Sequence, residues 1–201
     1  MNSMRLIAGV LAAVSLASAH AQETDVKQMV VTVCSKCHEM DGNAILPNVP
    51  KLAGQPKQYL LAQLDAFRDR SRKDPDAHTY MWRISQLLDD NMRVKLADYF
   101  SAQKPTRGTP GDEQLAAKGK VIYERGMEST KVPACVFCHG LHGQGIGIFP
   151  RLAGQHAQYL VTQIRVFHSD DRPNNALIMK AVVERLSLEE AKAVAAYLQG
   201  L

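Results

Sequence analysis

The chain is a tandem duplication, and no other feature limits its possible folds as much. Pro50-Lys51-Leu52-Ala53-Gly54-Gln55 returns as Pro150-Arg151-Leu152-Ala153-Gly154-Gln155. Carried without a gap through Phe67 and Phe167, the two copies agree at 10 of 18 positions. The offset is 100 in this block, 101 between Cys34 and Cys135, and 98 where Tyr99 meets Tyr197. Slips of that size are small insertions and deletions in surface loops. The period is too long for a solenoid of stacked repeats, so two similar domains are predicted. They span residues 22–103 and 112–201. The linker, residues 104–111, carries Pro105, Gly108, Pro110 and Gly111, which interrupt helix repeatedly.

Within each copy the hydrophobic period is helical. Tyr59, Leu60, Gln63, Leu64 and Phe67 recur at the spacing of one helix face, and Tyr159, Leu160, Gln163, Ile164 and Phe167 repeat it. Ser187-Leu188-Glu189-Glu190 has the form of a capping box, followed by Leu188, Ala191, Val194, Ala195 and Leu198 on one side. Its counterpart runs from about Asp90 to Ala102. A further helix with Leu115, Gly119, Ile122 and Tyr123 follows Asp112, its expected N-cap. No segment alternates as a strand would. The fold class is therefore all-α.

Each copy also contains one C-x-x-C-H motif: Cys34-Ser35-Lys36-Cys37-His38 and Cys135-Val136-Phe137-Cys138-His139. This is the attachment signature of a c-type haem. Two thiols on one helical turn can each add to a porphyrin vinyl group, and the histidine after them falls beneath the iron. All four cysteines are used in these motifs, so none is left for a disulfide. A thioredoxin-like redox pair would need a βαβ setting, which is absent from the pattern. A zinc site would need four ligands close together, and the pairs lie far apart in sequence.

The second axial ligand is selected by the duplication itself. After His139 the only methionine is Met179. After His38 there are Met40, Met81 and Met92, of which Met40 is too near the histidine to reach the opposite face. Met92 has Glu190 as its counterpart, whereas Met81 aligns with Met179 at offset 98. Met81 and Met179 are therefore the expected sulfur ligands, an arrangement that favours electron transfer and raises the potential. Among the histidines, His156 and His168 replace Pro56 and Arg68, and His142 is too close to His139, so none has a duplicated role. His78, three residues before Met81, is the one rival ligand, and its own counterpart falls near Ala176.

Residues 1–21 read as a secretory signal peptide, with Arg5, an apolar run from Leu6 to Ala17 and the cleavage pattern Ala19-His20-Ala21. That run is short of the roughly twenty apolar residues a membrane span needs. The expected location is the periplasm, with the mature chain either free or peripherally attached to the inner membrane. The formal net charge is +4, and residues 22–103 carry eleven charges of each sign. So small an excess does not indicate a nucleic-acid partner. The cluster Arg68, Arg70, Arg72 and Lys73 alternates with acids and is read as a solvated face.

With its paired C-x-x-C-H motifs, the P-[KR]-L-A-G-Q-x-x-Q-Y-L blocks, Ile178-Met179-Lys180 and the terminal Tyr197-Leu198-Gln199-Gly200-Leu201, the mature chain resembles the cytochrome c4 family throughout. These are dihaem class I cytochromes c. The resemblance implies two tandem class I cytochrome c domains, each wrapped around one covalently bound haem c, with haem edges facing across the domain interface. It implies ligation of iron by His38 with Met81 and by His139 with Met179. It also implies that the Pro50 and Pro150 carbonyls accept the Nδ1 protons of those histidines. The run 74–82 around Met81 departs from the Gly-rich segment of the family's first domain.

The function implied is single-electron shuttling from a quinol–cytochrome c reductase toward a haem–copper terminal oxidase. The alternatives are an electron-accepting subunit of a periplasmic dehydrogenase and a dihaem enzyme of the peroxidase or thiosulfate dehydrogenase type. An enzyme would need an open iron position or a reactive cysteine, and every cysteine is already in a haem motif. The chain is accordingly expected to be a carrier and not an enzyme.

Overall fold

The computed structural model describes residues 25–169, 171, 172 and 176–201. The signal peptide read over residues 1–21 lies outside them. In the first half, α1 is a helical run over residues 25–38, built from a π-helical segment Val30–Cys34 and a last turn Ser35–His38. Then follow α2 (Lys57–Arg68), α3 (a π-helical turn Ala77–Met81 continued by Trp82–Gln86) and α4 (Asp90–Ser101). The second half contains α5 (Glu113–Arg125), α6 (Val136–His139), α7 (Ala157–His168), α8 (Ala176–Val183) and α9 (Leu188–Gln199). Among the described residues there are no strands, only isolated bridges between Met127 and Val132 and between Ile146 and Phe149.

The helix ends follow from their caps. Asp89, Asp112 and Ser187 each accept from a backbone N–H three residues on, and Glu190 reaches back to the Ser187 N–H to complete a capping box. The two halves differ at their N-terminal ends. Residues 25–38 contain no glycine or proline and run as one helix into the first motif. In the second half Gly126, at φ 71°, ends α5, and a loop through Pro133 separates it from α6.

Each half has its own core. Val26, Val30, Leu60, Met92, Leu96 and Phe100 form the first, and Ile122, Tyr123, Leu160, Val194, Ala195 and Leu198 the second. In the second, α5 and α9 cross at Gly119, where a Cβ would collide with the Ala193 carbonyl. That neighbour is helix backbone and cannot swing aside. Gly119→Ala should therefore destabilise the second half by about 1–3 kcal/mol or more, read as a lower midpoint in denaturant. An unchanged midpoint would show that the helices can part at this crossing.

The halves meet along a polar seam that reflects the duplication. Gln155 accepts from the Lys51 N–H (2.9 Å) and donates to the Lys51 carbonyl (3.1 Å). Gln55 does the same to Arg151, at 2.9 and 2.8 Å. Farther along, Arg72 donates Nη1 to Gln63 (3.0 Å), Nη2 to Gln163 (2.9 Å) and Nε to Asp74 (2.7 Å). Arg172 donates to Gln163 (2.6 Å), Gln63 (2.8 Å) and the Tyr59 hydroxyl (2.8 Å). Both glutamine oxygens thus accept from both guanidiniums, which lie over Phe67 and Phe167 at 4.6 and 4.7 Å.

This corrects the reading of residues 68–73 as a solvated face. Arg70 and Lys73 are exposed and Arg68 partly so, but Arg72 is only 4% exposed and its partner Asp74 only 2%. The reason is local geometry: Arg70 takes the left-handed region at φ 59°, turning the chain so that Arg72 points back into the interface. Burial of a guanidinium is tolerable there because a carboxylate and two amide oxygens receive its protons.

Candidate functional site

In each half the C-x-x-C-H segment closes a helix, at the end of α1 and as α6. Cysteines three apart on a helix share a face, so both thiols of a motif can meet one flat group. Cys34 packs against the first core and Cys135 against the second. Burial pushes both thiols up to about 11. Redox-active C-x-x-C pairs have depressed thiol pKa values, so these surroundings are the reverse of what that chemistry uses. Among the described residues no three His, Cys, Asp or Glu side chains converge as a metal-ion site, which leaves the cysteine pairs apart.

The histidines are oriented from behind. His38 Nδ1 lies 3.0 Å from the Pro50 carbonyl oxygen and His139 Nδ1 lies 3.0 Å from that of Pro150. A carbonyl can only accept, so Nδ1 carries the proton in both. Burial pulls both imidazoles below the usual histidine pKa, against the opposing effect of these hydrogen bonds. Each ring is then neutral near pH 7, with its lone pair at Nε2. A metal-ligating histidine needs that state.

His139 is 5% exposed, and its Nε2 is buried with no hydrogen-bond partner. An unsatisfied buried polar atom costs about 1–3 kcal/mol, and coordination of that lone pair by iron removes the cost. The residues present therefore fit a haem. The turn after His139 is held by Gly140 at φ 84°, whose carbonyl accepts from the Tyr123 hydroxyl at 2.6 Å.

The methionines sort by packing. Met29, Met92 and Met127 belong to the two cores, and Met40 is exposed. Met81, at the end of the π-helical turn in α3, and Met179, in α8, are half-buried and belong to neither core. Core filling does not account for them. His78 is exposed and packs edge-on against Trp82 with ring centres 4.7 Å apart. The Trp82 indole is itself pinned to the Arg72 carbonyl at 2.7 Å. His142 and His168 are also exposed, and His156 is tied to the Ala44 carbonyl at 2.7 Å.

A family model for cytochrome c matches residues 24–103 and again residues 116–201. The chain belongs to the cytochrome c family. It is 42% identical to cytochrome c-552 of Acidithiobacillus ferridurans over 100% of this chain and 85% of that protein. The solved structure of Acidithiobacillus ferrooxidans cytochrome c4 matches with a TM-score of 0.78 at 44% identity, covering 84% of this chain and 98% of that one. The thiosulfate dehydrogenase electron acceptor of Thiomonas intermedia (strain K12) is 34% identical over 82% of this chain and 76% of its own length. The protein is a dihaem, cytochrome c4-like electron carrier with two tandem domains and two covalent haem c groups.

The polar seam escaped the sequence reading, although it left a signal there. Gln55, Gln63 and Arg72 all recur at offset 100, as Gln155, Gln163 and Arg172. Gln63 and Gln163 even sit on the otherwise apolar face of α2 and α7. A long polar side chain repeated on an apolar face marks a surface that is buried against polar partners.

Proposed function

We propose that this cytochrome carries single electrons through the periplasm at two centres. The first is held by Cys34, Cys37, His38 and Met81, the second by Cys135, Cys138, His139 and Met179. The observation that carries this reading is the buried His139 Nε2, left free while Nδ1 is committed to Pro150. His38 has the same carbonyl partner in the other copy. Haem iron supplies a reversible one-electron couple. The protein's residues would hold that couple in one geometry: proline carbonyls fix the imidazoles, Cys34 and Cys135 pack against the two cores, and Met81 and Met179 would supply the sulfur ligands. A site filled in that way would leave no position for a substrate, which suits a carrier.

The route proposed runs from a quinol–cytochrome c reductase to a haem–copper terminal oxidase. A second reading, acceptance of electrons from a periplasmic dehydrogenase, draws on the likeness to the thiosulfate dehydrogenase electron acceptor. No helix of the described residues is long and apolar enough to cross a membrane, which is consistent with either role. Stopped-flow reduction of the purified protein separates them: the first route requires fast reduction by the quinol-oxidising complex, the second by the dehydrogenase with its substrate.

Attachment is tested by replacing Cys135 and Cys138 together with serine. The variant should retain one haem per polypeptide, measured as pyridine haemochrome against protein mass, with the spectrum of the first centre preserved. Two haems surviving in that variant would refute the assignment of the second site.

A further inference from the structure

The peptide group joining Pro50 to Lys51 is engaged at both ends. Its carbonyl accepts from His38 Nδ1 at 3.0 Å and its N–H donates to Gln155 Oε1 at 2.9 Å. Gln155 belongs to the other half and closes the pair by donating Nε2 to the Lys51 carbonyl at 3.1 Å. The duplication repeats the arrangement in the opposite direction. The Pro150 carbonyl accepts from His139 Nδ1 at 3.0 Å, the Arg151 N–H donates to Gln55 Oε1 at 2.9 Å, and Gln55 Nε2 donates to the Arg151 carbonyl at 2.8 Å. Gln55 and Gln155 are 3% and 2% exposed, so bulk water does not compete for these groups.

We infer that Gln55 and Gln155 are crossed positioning residues, each tuning through one peptide group the axial histidine of the opposite half. This rests on His38 and His139 being the iron ligands. Drawing electrons from a peptide N–H toward an acceptor makes the carbonyl of the same peptide more negative, because nitrogen and oxygen share one π system. A more negative Pro50 carbonyl pulls harder on the His38 Nδ1 proton. The imidazole then donates more strongly at Nε2, which favours ferric over ferrous iron and lowers the potential. Each half thus sets part of its neighbour's potential, and loosening the seam would shift both centres upward together.

The geometry also explains why glutamine stands at both places. An amide offers one acceptor and one donor at the spacing of a backbone peptide edge, and so satisfies the N–H and the carbonyl of residue 51 or 151 at once. Neighbouring charge is cationic: burial and the facing Arg151 hold the Lys51 ammonium below the usual lysine pKa, and burial brings Arg151 down to about 10.

The test is a redox titration of the intact dihaem protein, with the two centres resolved by paramagnetic NMR. Gln155→Leu should raise the midpoint of the centre at His38, a roughly two- to threefold change in its ferric-to-ferrous ratio at fixed potential. The centre at His139 should move less. Gln55→Leu should do the reverse. Gln155→Glu and Gln55→Glu lose the donor to the carbonyl of residue 51 or 151 but keep and strengthen the acceptor for the N–H, so each should lower the midpoint of the opposite centre by more than that of its own half. If the leucine variants do not accumulate as folded protein, that difference between the two centres in the glutamate pair decides alone. Shifts confined to the mutated half, or no shift in either centre, would overturn the crossed assignment. Failure of the underlying ligand reading would show separately: the wild-type spectrum would then lack hyperfine-shifted imidazole signals at both centres.

Discussion

Met179→Ala will abolish the methionine–iron charge-transfer band of one ferric centre and leave the other in place. The midpoint of the altered centre should fall by on the order of 0.1–0.3 V, a fraction of the roughly 0.8 V span that axial ligands command. A thioether stabilises ferrous iron relative to water or a second nitrogen donor, so its loss moves the couple downward. The same centre should bind cyanide or imidazole more tightly than it does in the wild-type protein. Position and packing single out Met179, which is half-buried in α8, lies outside the second core and is the one methionine after His139. Retention of two unaltered six-coordinate centres would mean that the sulfur comes from elsewhere. Met81→Ala should give the matching result at the first centre. His78, exposed and edge-on to Trp82, should be replaceable there without a change of ligation.

The second large effect is on stability. Arg72→Ala should cost about 3–5 kcal/mol, the usual penalty for removing one member of a buried ion pair. Asp74, only 2% exposed, would keep its charge without the guanidinium, and Gln63 and Gln163 would each lose a donor. For a chain of this size the loss corresponds to a fall in Tm of roughly 6–20 °C. Arg172→Ala should cost less, because Arg172 is held by amide and phenol oxygens and its loss strands no carboxylate among the described residues. Combining Arg72→Met with Asp74→Leu should recover most of the loss, since an apolar pair of similar volume carries no desolvation penalty. Equal costs for the two arginines would refute the role given to Asp74. Thermal unfolding of all three variants decides it.

These two predictions differ in how far they could be read from the sequence. The methionine assignment needs only the aligned copies: a repeated cysteine pair, a repeated methionine, and the rule that one residue cannot lie on both faces of a ring. Helix positions were equally legible, because a 3.6-residue period and cap residues such as Asp112 and Ser187 act within a few positions of each other. The arginine prediction could not be reached that way. Arg68, Arg70, Arg72 and Lys73 are chemically alike and close in sequence, and their different burial follows from one left-handed turn at Arg70 and from side chains a hundred residues away.

Composition, period and spacing by themselves determined that this protein is helical, duplicated and built to tether two haems. Those properties follow from interactions along the chain and from covalent chemistry that motif residues dictate locally. Only the tertiary structure decided how the halves address each other: that Gln155 meets the peptide behind His38, that Gln55 meets the one behind His139, and that two arginines share two glutamines between them. The physical reason is that hydrogen bonds across an interface depend on distance and angle to within a few tenths of an ångström. Those quantities exist only once both domains have folded and closed together.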